Sequence, residues 1–170
     1  MNLPRKLLPG LSLAALTIIA VLPWGLAASY RFVLPLLPVI FIHEWAIRNP
    51  SPLPAWAVFA SGLAVDILTA GPLGYWSLIY LVAYVLSVEV GTLSRSEPAL
   101  RWVSFAIVLV LVVAVAWSIA SLYFFEAAEM SGFLWAALWA MLAYPLLAAF
   151  VVAVDPLPQR RMNDRLERGV

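Results

Sequence analysis

Residues 102–125 of the chain read WVSFAIVLVLVVAVAWSIASLYFF, an apolar stretch without a single charged side chain. A stretch of this length can cross the ~30 Å hydrocarbon core of a bilayer as an α-helix. Five further apolar runs accompany it along the chain. The predicted spans lie at 11–28, 32–45, 54–68, 75–93, 102–125 and 133–154. The sequence therefore predicts an all-α polytopic membrane protein with about six transmembrane helices.

The composition of the chain is that of a protein with most of its surface in lipid. Of its 170 residues, 65% are hydrophobic and 11% are charged, and the mean hydropathy is +0.98. We expect one transmembrane domain over residues 1–158 and a basic cytoplasmic tail over residues 159–170. The chain contains no cysteine, which excludes disulfides, thiol catalysis and thiolate metal sites. The charge pattern gives no support to nucleic-acid binding.

The positive charges are distributed unequally between the two sides that six spans define. One side receives only Arg31, and the other receives nine residues: Arg5, Lys6, Arg48, Arg95, Arg101, Arg160, Arg161, Arg165 and Arg168. Because cytoplasmic loops retain Lys and Arg, we expect both termini in the cytoplasm. If the second and third spans formed a re-entrant pair, the ratio would become eight to two and the termini would stay inside. A cleaved signal peptide is the alternative interpretation of the first span.

Two carboxylates fall within the predicted spans, Asp66 and Glu89. An ionisable side chain at membrane depth is a functional candidate because its burial is costly. For Asp66 we expect a cap or pair near the outer end of the third span, with Arg31 or the amides of the following turn as partners. A proton or ion relay is the alternative for Asp66. For Glu89 we expect a contact at the cytoplasmic interface near Arg95 or Arg101.

The histidine His43 neighbours Glu44 at the inner end of the second span. One His beside one Glu supplies too few ligands for a metal site, and we expect this histidine at the membrane interface. The serines within the spans have no histidine near them along the chain. We therefore predict no catalytic residues, no metal, no cofactor and no enzymatic activity.

Small residues recur at helical spacing on the third span. This face consists of Ala57, Ala60, Ser61 and Ala64. Small side chains let helix backbones approach closely in lipid, so we expect this face to pack against another helix and the third span to lie at the centre of the bundle. The segment GPLG at 71–74 combines two glycines with a proline, which predicts a tight turn into the fourth span.

The stretch that joins the third span to the fourth, residues 62–78, reads GLAVDILTAGPLGYWSL. It resembles the signature of the MreD family, the rod shape-determining membrane proteins of bacteria. The resemblance consists of a Gly-Leu pair, an aspartate four residues after the glycine, a small-residue turn that ends in Leu-Gly, and an apolar fourth helix. The resemblance marks six residues as structural or partner-binding candidates: Gly62, Asp66, Gly71, Pro72, Gly74 and Tyr84. Length, number of spans and poor charge content also fit the family, and outside these two spans the likeness is one of hydropathy.

This resemblance implies a non-enzymatic scaffold of the bacterial cell-elongation (rod) complex, located in the inner membrane. Its implied partners are an MreC-like protein and, directly or indirectly, MreB, RodA and a class B penicillin-binding protein. In such a complex the protein would support cell shape and peptidoglycan synthesis.

The MreD family is also similar in architecture to the S-components of energy-coupling vitamin transporters, which are six-helix membrane domains. An S-component-like bundle is therefore the expected fold, and a small-solute-binding component of a transporter is the alternative function. For the tail at 159–170 we expect attraction to anionic membrane lipids. Docking of a cytoskeletal partner is the alternative role for this tail.

Overall fold

The computed structural model describes residues 3–22, 25, 32–48, 53–91 and 98–154, and every regular element in these ranges is an α-helix. This observation confirms the all-α class. The helices are α1 (Leu3–Val21), α2 (Val33–Leu36), α3 (Pro38–Arg48), α4 (Ala55–Leu68), α5 (Tyr75–Gly91), α6 (Pro98–Phe124) and α7 (Met130–Val154).

The second predicted span consists of two helices, because the helix is interrupted at Leu37 between α2 and α3. The Leu37 amide donates to the Leu34 carbonyl at 3.1 Å. Pro38 follows, and it has no N–H with which to continue α2, while its restricted φ suits the first position of a new helix. The 11 residues of α3 rise about 16 Å, which is much less than a bilayer core. The re-entrant alternative for this part of the chain therefore stays open.

The other helices follow the predicted spans with shifts at their ends. Pro54 is the N-cap of α4, with φ −74° and ψ 140°, and not its first helical residue. Helix α6 begins at Pro98 and α7 at Met130, each a few residues before the predicted start. The largest difference is in α1, which begins at Leu3 and ends at Val21, short of the predicted end at residue 28. Pro23 follows closely in the sequence, and a proline disfavours helical backbone in the residue before it.

Helix α3 lies at the centre of the bundle. Every residue from Pro38 to Ile47 is buried, and α3 contacts α1, α2, α5, α6 and α7. The expectation that the third span occupies the centre was wrong, because α4 packs mainly against α5 and α1. The short α3 can be surrounded over its full length, and its polar residues His43 and Glu44 have hydrogen-bond partners on the neighbouring helices.

Two helices in the described part of the chain, α6 and α7, are long and apolar enough to cross a membrane. They contain 27 and 25 residues, which correspond to lengths of about 40 and 38 Å. Thirty large hydrophobic side chains of the described residues are exposed, with Leu122 and Leu146 at 73% and 74% among them. The outer surface of the described part of the bundle therefore carries many large apolar side chains.

Candidate functional site

The carboxylate of Asp66, near the end of α4, caps the beginning of α5. Its Oδ2 accepts a hydrogen bond from the Gly74 amide and its Oδ1 one from the Trp76 amide, both at 2.9 Å. The Ser77 amide and hydroxyl donate to Oδ2 at 3.4 and 3.3 Å. These are N-terminal amides of a helix, which lack partners within the helix and favour a negative charge. The Asp66 side chain is fully buried, and its oxygens are occupied by the neighbouring helix.

Of the two partners expected for Asp66, the structure shows the amides of the turn, whereas Arg31 lies outside the described residues. Gly74 occupies the position where a helix usually carries a capping side chain. Glycine has no side-chain acceptor, and the carboxylate that accepts these bonds comes from α4, eight residues earlier in the chain.

The turn between α4 and α5 closes with a Schellman motif. The Gly71 amide donates to the Asp66 carbonyl at 3.0 Å and the Ala70 amide donates to the Ile67 carbonyl at 3.3 Å. The left-handed residue of the motif is Ala70, with φ 51°, and Gly74 has φ 93°. Of the two glycines in this turn, Gly74 therefore has a positive φ, whereas at the end of α4 Ala70 adopts it in place of Gly71. The hydrogen bonds of the motif satisfy carbonyls at the helix end and hold Ala70 in a conformation that costs about 1 kcal/mol.

Gly62 brings α4 into backbone contact with α5. A Cβ at this position would lie 2.4 Å from the Ser77 Cα and 2.5 Å from the Ser77 nitrogen. The contact is one helical turn before Asp66, so the close approach at Gly62 places the carboxylate within hydrogen-bonding distance of the α5 amides. Among the six residues marked by the resemblance, the structure joins Gly62, Asp66 and Gly74 in one arrangement.

The other marked residues have different surroundings. Gly71 belongs to the turn, and both Gly71 and Pro72 line a cavity beside it. Tyr84 is half-buried on α5 and packs against the hydrophobic core. It lies nine residues beyond the start of α5, or about 14 Å along the helix axis, and therefore does not belong to the arrangement around Asp66.

The small-residue face of α4 lines a groove between α4 and α1. The groove has a volume of about 410 Å³. Its lining residues are Gly10, Leu11, Ala14, Thr17, Pro54, Trp56, Ala57, Ala60, Ser61 and Ala64. The fully buried positions of α4 are Val58, Gly62, Val65 and Asp66. Helix α4 thus packs against α5 through the face that contains Gly62. The predicted packing face lies next to it and borders an open groove.

A buried polar cluster lies where α3, α5 and α6 meet. The His43 Nδ1 is 3.1 Å from the Ser87 Oγ, and the His43 Nε2 is 3.1 Å from the Ser104 Oγ. Ser87 also donates to the Ala83 carbonyl and Ser104 to the Arg101 carbonyl. Each serine has one proton, so only a ring protonated on both nitrogens satisfies all four contacts at once. A neutral ring requires one serine to turn towards it.

Glu44 extends this cluster to α7. Its Oε1 accepts a hydrogen bond from the Tyr144 hydroxyl at 2.6 Å, and its Oε2 is 3.3 Å from the Arg48 Nε. The exposed fractions of His43 and Glu44 are 0% and 1%, so the histidine lies inside the bundle and not on its surface. The reason is tertiary, because the partners on α5, α6 and α7 lie 44 to 100 residues away in the chain.

Sequence reasoning missed the cluster, although one signal was present. Glu44 and Arg48 stand four residues apart, a spacing that puts both on one helix face, and they do so next to the histidine in an apolar run. Within this cluster, Ser87 and His43 are fully buried. Glu89, by contrast, is exposed on α5.

The polar arrangements around Asp66 and His43 therefore hold helices together. Asp66 joins α4 to α5, and the His43 cluster joins α3 to α5, α6 and α7. Among the described residues, no group of three or more His, Asp or Glu side chains could hold a metal ion. Comparisons of the chain with protein-family models, with curated proteins and with solved structures found no match.

Proposed function

We propose that this protein is a non-enzymatic scaffold of the bacterial cell-elongation (rod) complex, which binds the transmembrane helix of an MreC-like partner. It lies in the inner membrane with both termini in the cytoplasm. The observation that carries the proposal is the groove between α1 and α4. That groove runs along the same helix that bears the MreD-like segment and is open on the outside of the bundle.

The membrane placement has two independent supports. The exposed large side chains of α6 and α7 form an apolar outer surface, which would aggregate in water. The Lys and Arg residues, nine to one in the sequence, favour the orientation with cytoplasmic termini. In this orientation the α4–α5 turn faces the periplasm.

The chemistry of the groove suits an apolar helix. Four of its lining residues are alanines, Ala14, Ala57, Ala60 and Ala64, and small side chains allow a second backbone to approach closely. The two hydroxyls in the groove are satisfied within their own helices: Ser61 donates to the Ala57 carbonyl at 2.8 Å and Thr17 to the Leu13 carbonyl at 2.8 Å. An incoming helix therefore has no hydroxyl proton of the groove left to satisfy.

The α4–α5 junction fixes the position of α4, which forms one side of the groove. The Gly62 contact and the Asp66 cap fix α4 on α5, on the face next to the one that borders the groove. We infer that the MreD-like residues act on partner binding by holding α4 in place. The other partners of the complex, MreB, RodA and a class B penicillin-binding protein, would then be reached directly or through the MreC-like protein.

Crosslinking in cells tests the position of the partner. The chain has no cysteine, so each introduced cysteine is a unique reactive site. We expect Ala60→Cys and Ala64→Cys to form disulfides with a cysteine scanned along the partner's transmembrane helix. Leu142→Cys on α7, a position that is 60% exposed, is the matched control and should form none. Crosslinks at Leu142 alone would contradict the groove as the binding face.

Depletion tests the function itself. Removal of the protein from a rod-shaped host should round the cells, because wall insertion along the cylinder requires the assembled complex. A host that keeps its rod shape and its normal pattern of wall insertion would contradict the scaffolding role, whatever the crosslinks show.

A further inference from the structure

A second cavity lies at the outer end of the bundle, between the α4–α5 turn, the end of α6 and the beginning of α7. Its volume is about 610 Å³, which falls within the ~300–1,000 Å³ of typical small-molecule sites. The scaffolding role makes no use of this cavity.

Aromatic side chains form its walls. They are Phe32, Tyr75, Trp76, Tyr123, Phe124 and Phe133. Phe32 and Phe133 stack with their ring centroids 4.3 Å apart, and Tyr75 meets Trp76 edge to face at 5.3 Å. Because Tyr75, Trp76 and Phe133 are buried, the inner wall is held in place by the core. Tyr123 and Phe124 are more than half exposed and stand at the mouth.

Among the described residues that line this cavity, Glu126 and Glu129 are the charged ones. Glu129 accepts a hydrogen bond from the Ser131 hydroxyl at 2.6 Å, and no ion pair joins either glutamate to a described residue. A mouth with two negative charges over aromatic walls attracts a cation, because ring faces carry negative potential. An anion would be repelled.

The loop that carries these glutamates is fixed to α6. The Trp117 indole donates to the Ala128 carbonyl at 2.8 Å, and the Ala128 amide donates to the Ser121 Oγ at 3.0 Å. Phe125 turns the chain at the end of α6 with φ 54°. The backbone between the two glutamates is therefore anchored to α6 at Ala128, through both its amide and its carbonyl. A loop that is already ordered reduces the entropic cost of ligand binding.

We propose that this outer cavity binds a small organic cation with a quaternary or aromatic nitrogen. The nitrogen lies against the aromatic walls, and Glu126 and Glu129 balance its charge. This inference goes beyond the scaffolding role and does not depend on the partner proposed above, because every residue involved belongs to this chain.

The test is calorimetric titration of the purified full-length chain with three probes of similar size: benzyltrimethylammonium, its uncharged carbon analogue neopentylbenzene, and benzoate. We expect the cation to bind at least ten-fold more tightly than the uncharged analogue, and benzoate not to bind. Equal affinity for the cation and the uncharged analogue would overturn the proposal and indicate an apolar cavity for a lipid chain. No binding of the cation would overturn it as well.

Variants locate the site. The double substitution Glu126→Gln and Glu129→Gln should weaken cation binding about ten-fold or more, since two charges near the ligand are lost. Tyr123→Leu, which keeps an apolar side chain and removes the ring, should weaken it as well. Glu89→Gln removes an exposed carboxylate outside the cavity and should leave affinity unchanged. Unchanged affinity in the first two variants, each with the thermal midpoint of the parent, would also overturn the proposal.

Discussion

At the scale of single residues, Asp66 caps α5 because Gly74, at the cap position, has no side-chain oxygen. The cap position of α5 has no side-chain oxygen, and the carboxylate that replaces it comes from α4 at 2.9 Å from two separate amides. A buried amide without an acceptor costs about 1–3 kcal/mol. The carboxylate of Asp66 therefore joins two helices through these hydrogen bonds.

The first prediction concerns this carboxylate. Asp66→Asn keeps one acceptor oxygen but turns its NH₂ group towards the second amide, so we expect the free energy of unfolding to fall by about 1–3 kcal/mol. Asp66→Ala removes both acceptors and should cost more than Asp66→Asn. Unfolding in mixed micelles, followed by tryptophan fluorescence, measures both variants. Glu89→Gln, at an exposed position, should stay within about 0.5 kcal/mol of the parent. A stable Asp66→Ala variant would contradict the cap.

At the scale of the elements, the close packing of α4 against α5 depends on the absence of a side chain at Gly62. The buried face of α4 contains Gly62 at a backbone-to-backbone contact with Ser77. The face that the sequence predicts to pack, Ala57, Ala60, Ser61 and Ala64, is displaced by one residue around the helix and lines the groove. Both faces are made of small and apolar residues, so composition does not distinguish the one that meets protein from the one that stays open.

A matched pair of glycine substitutions tests this contact. Gly62→Ala places a Cβ 2.4 Å from a backbone atom, and the two helices must separate, at an expected cost of about 2 kcal/mol or more. Gly10→Ala on α1 meets nothing within 4 Å and should stabilise the helix by about 0.5–1 kcal/mol. The comparison is read from the unfolding free energies of the two variants. Equal effects of the two substitutions would show that α4 and α5 do not touch at Gly62.

At the scale of the whole molecule, the His43 cluster links the first part of the chain to the last helix. Glu44 and Tyr144 are 100 residues apart and only 2.6 Å apart in space. In an apolar interior such polar contacts specify which helices are neighbours, because apolar contacts alone would tolerate several arrangements.

The corresponding prediction compares two variants of this link. Glu44→Gln removes the negative charge beside the buried Arg48 guanidinium, and we expect a cost on the order of 3 kcal/mol, since a buried charge loses its counter-charge. Tyr144→Phe removes one hydrogen bond and leaves the Glu44–Arg48 pair intact, with an expected cost of about 1–2 kcal/mol. Unfolding free energies of both variants in mixed micelles provide the measurement. A larger loss for Tyr144→Phe would show that the ion pair is not what stabilises the cluster.

The sequence by itself determined the helical class, most helix positions and the turn between α4 and α5, because these depend on local periodicity, prolines and glycines. It also singled out Asp66, since a carboxylate in an apolar run is rare. The membrane location, the rod-complex role and its partners stay predictions.

Only the tertiary structure decided that α3 lies at the centre, that Gly62 rather than the alanine face meets α5, and that His43 is buried. The physical reason is common to all three. In a chain this apolar, positions that face the core and positions that face outward have similar compositions. Hydropathy therefore does not show which face of a helix points into the bundle. The orientation of each helix comes from contacts between residues far apart in the chain, such as the hydrogen bond between Glu44 and Tyr144.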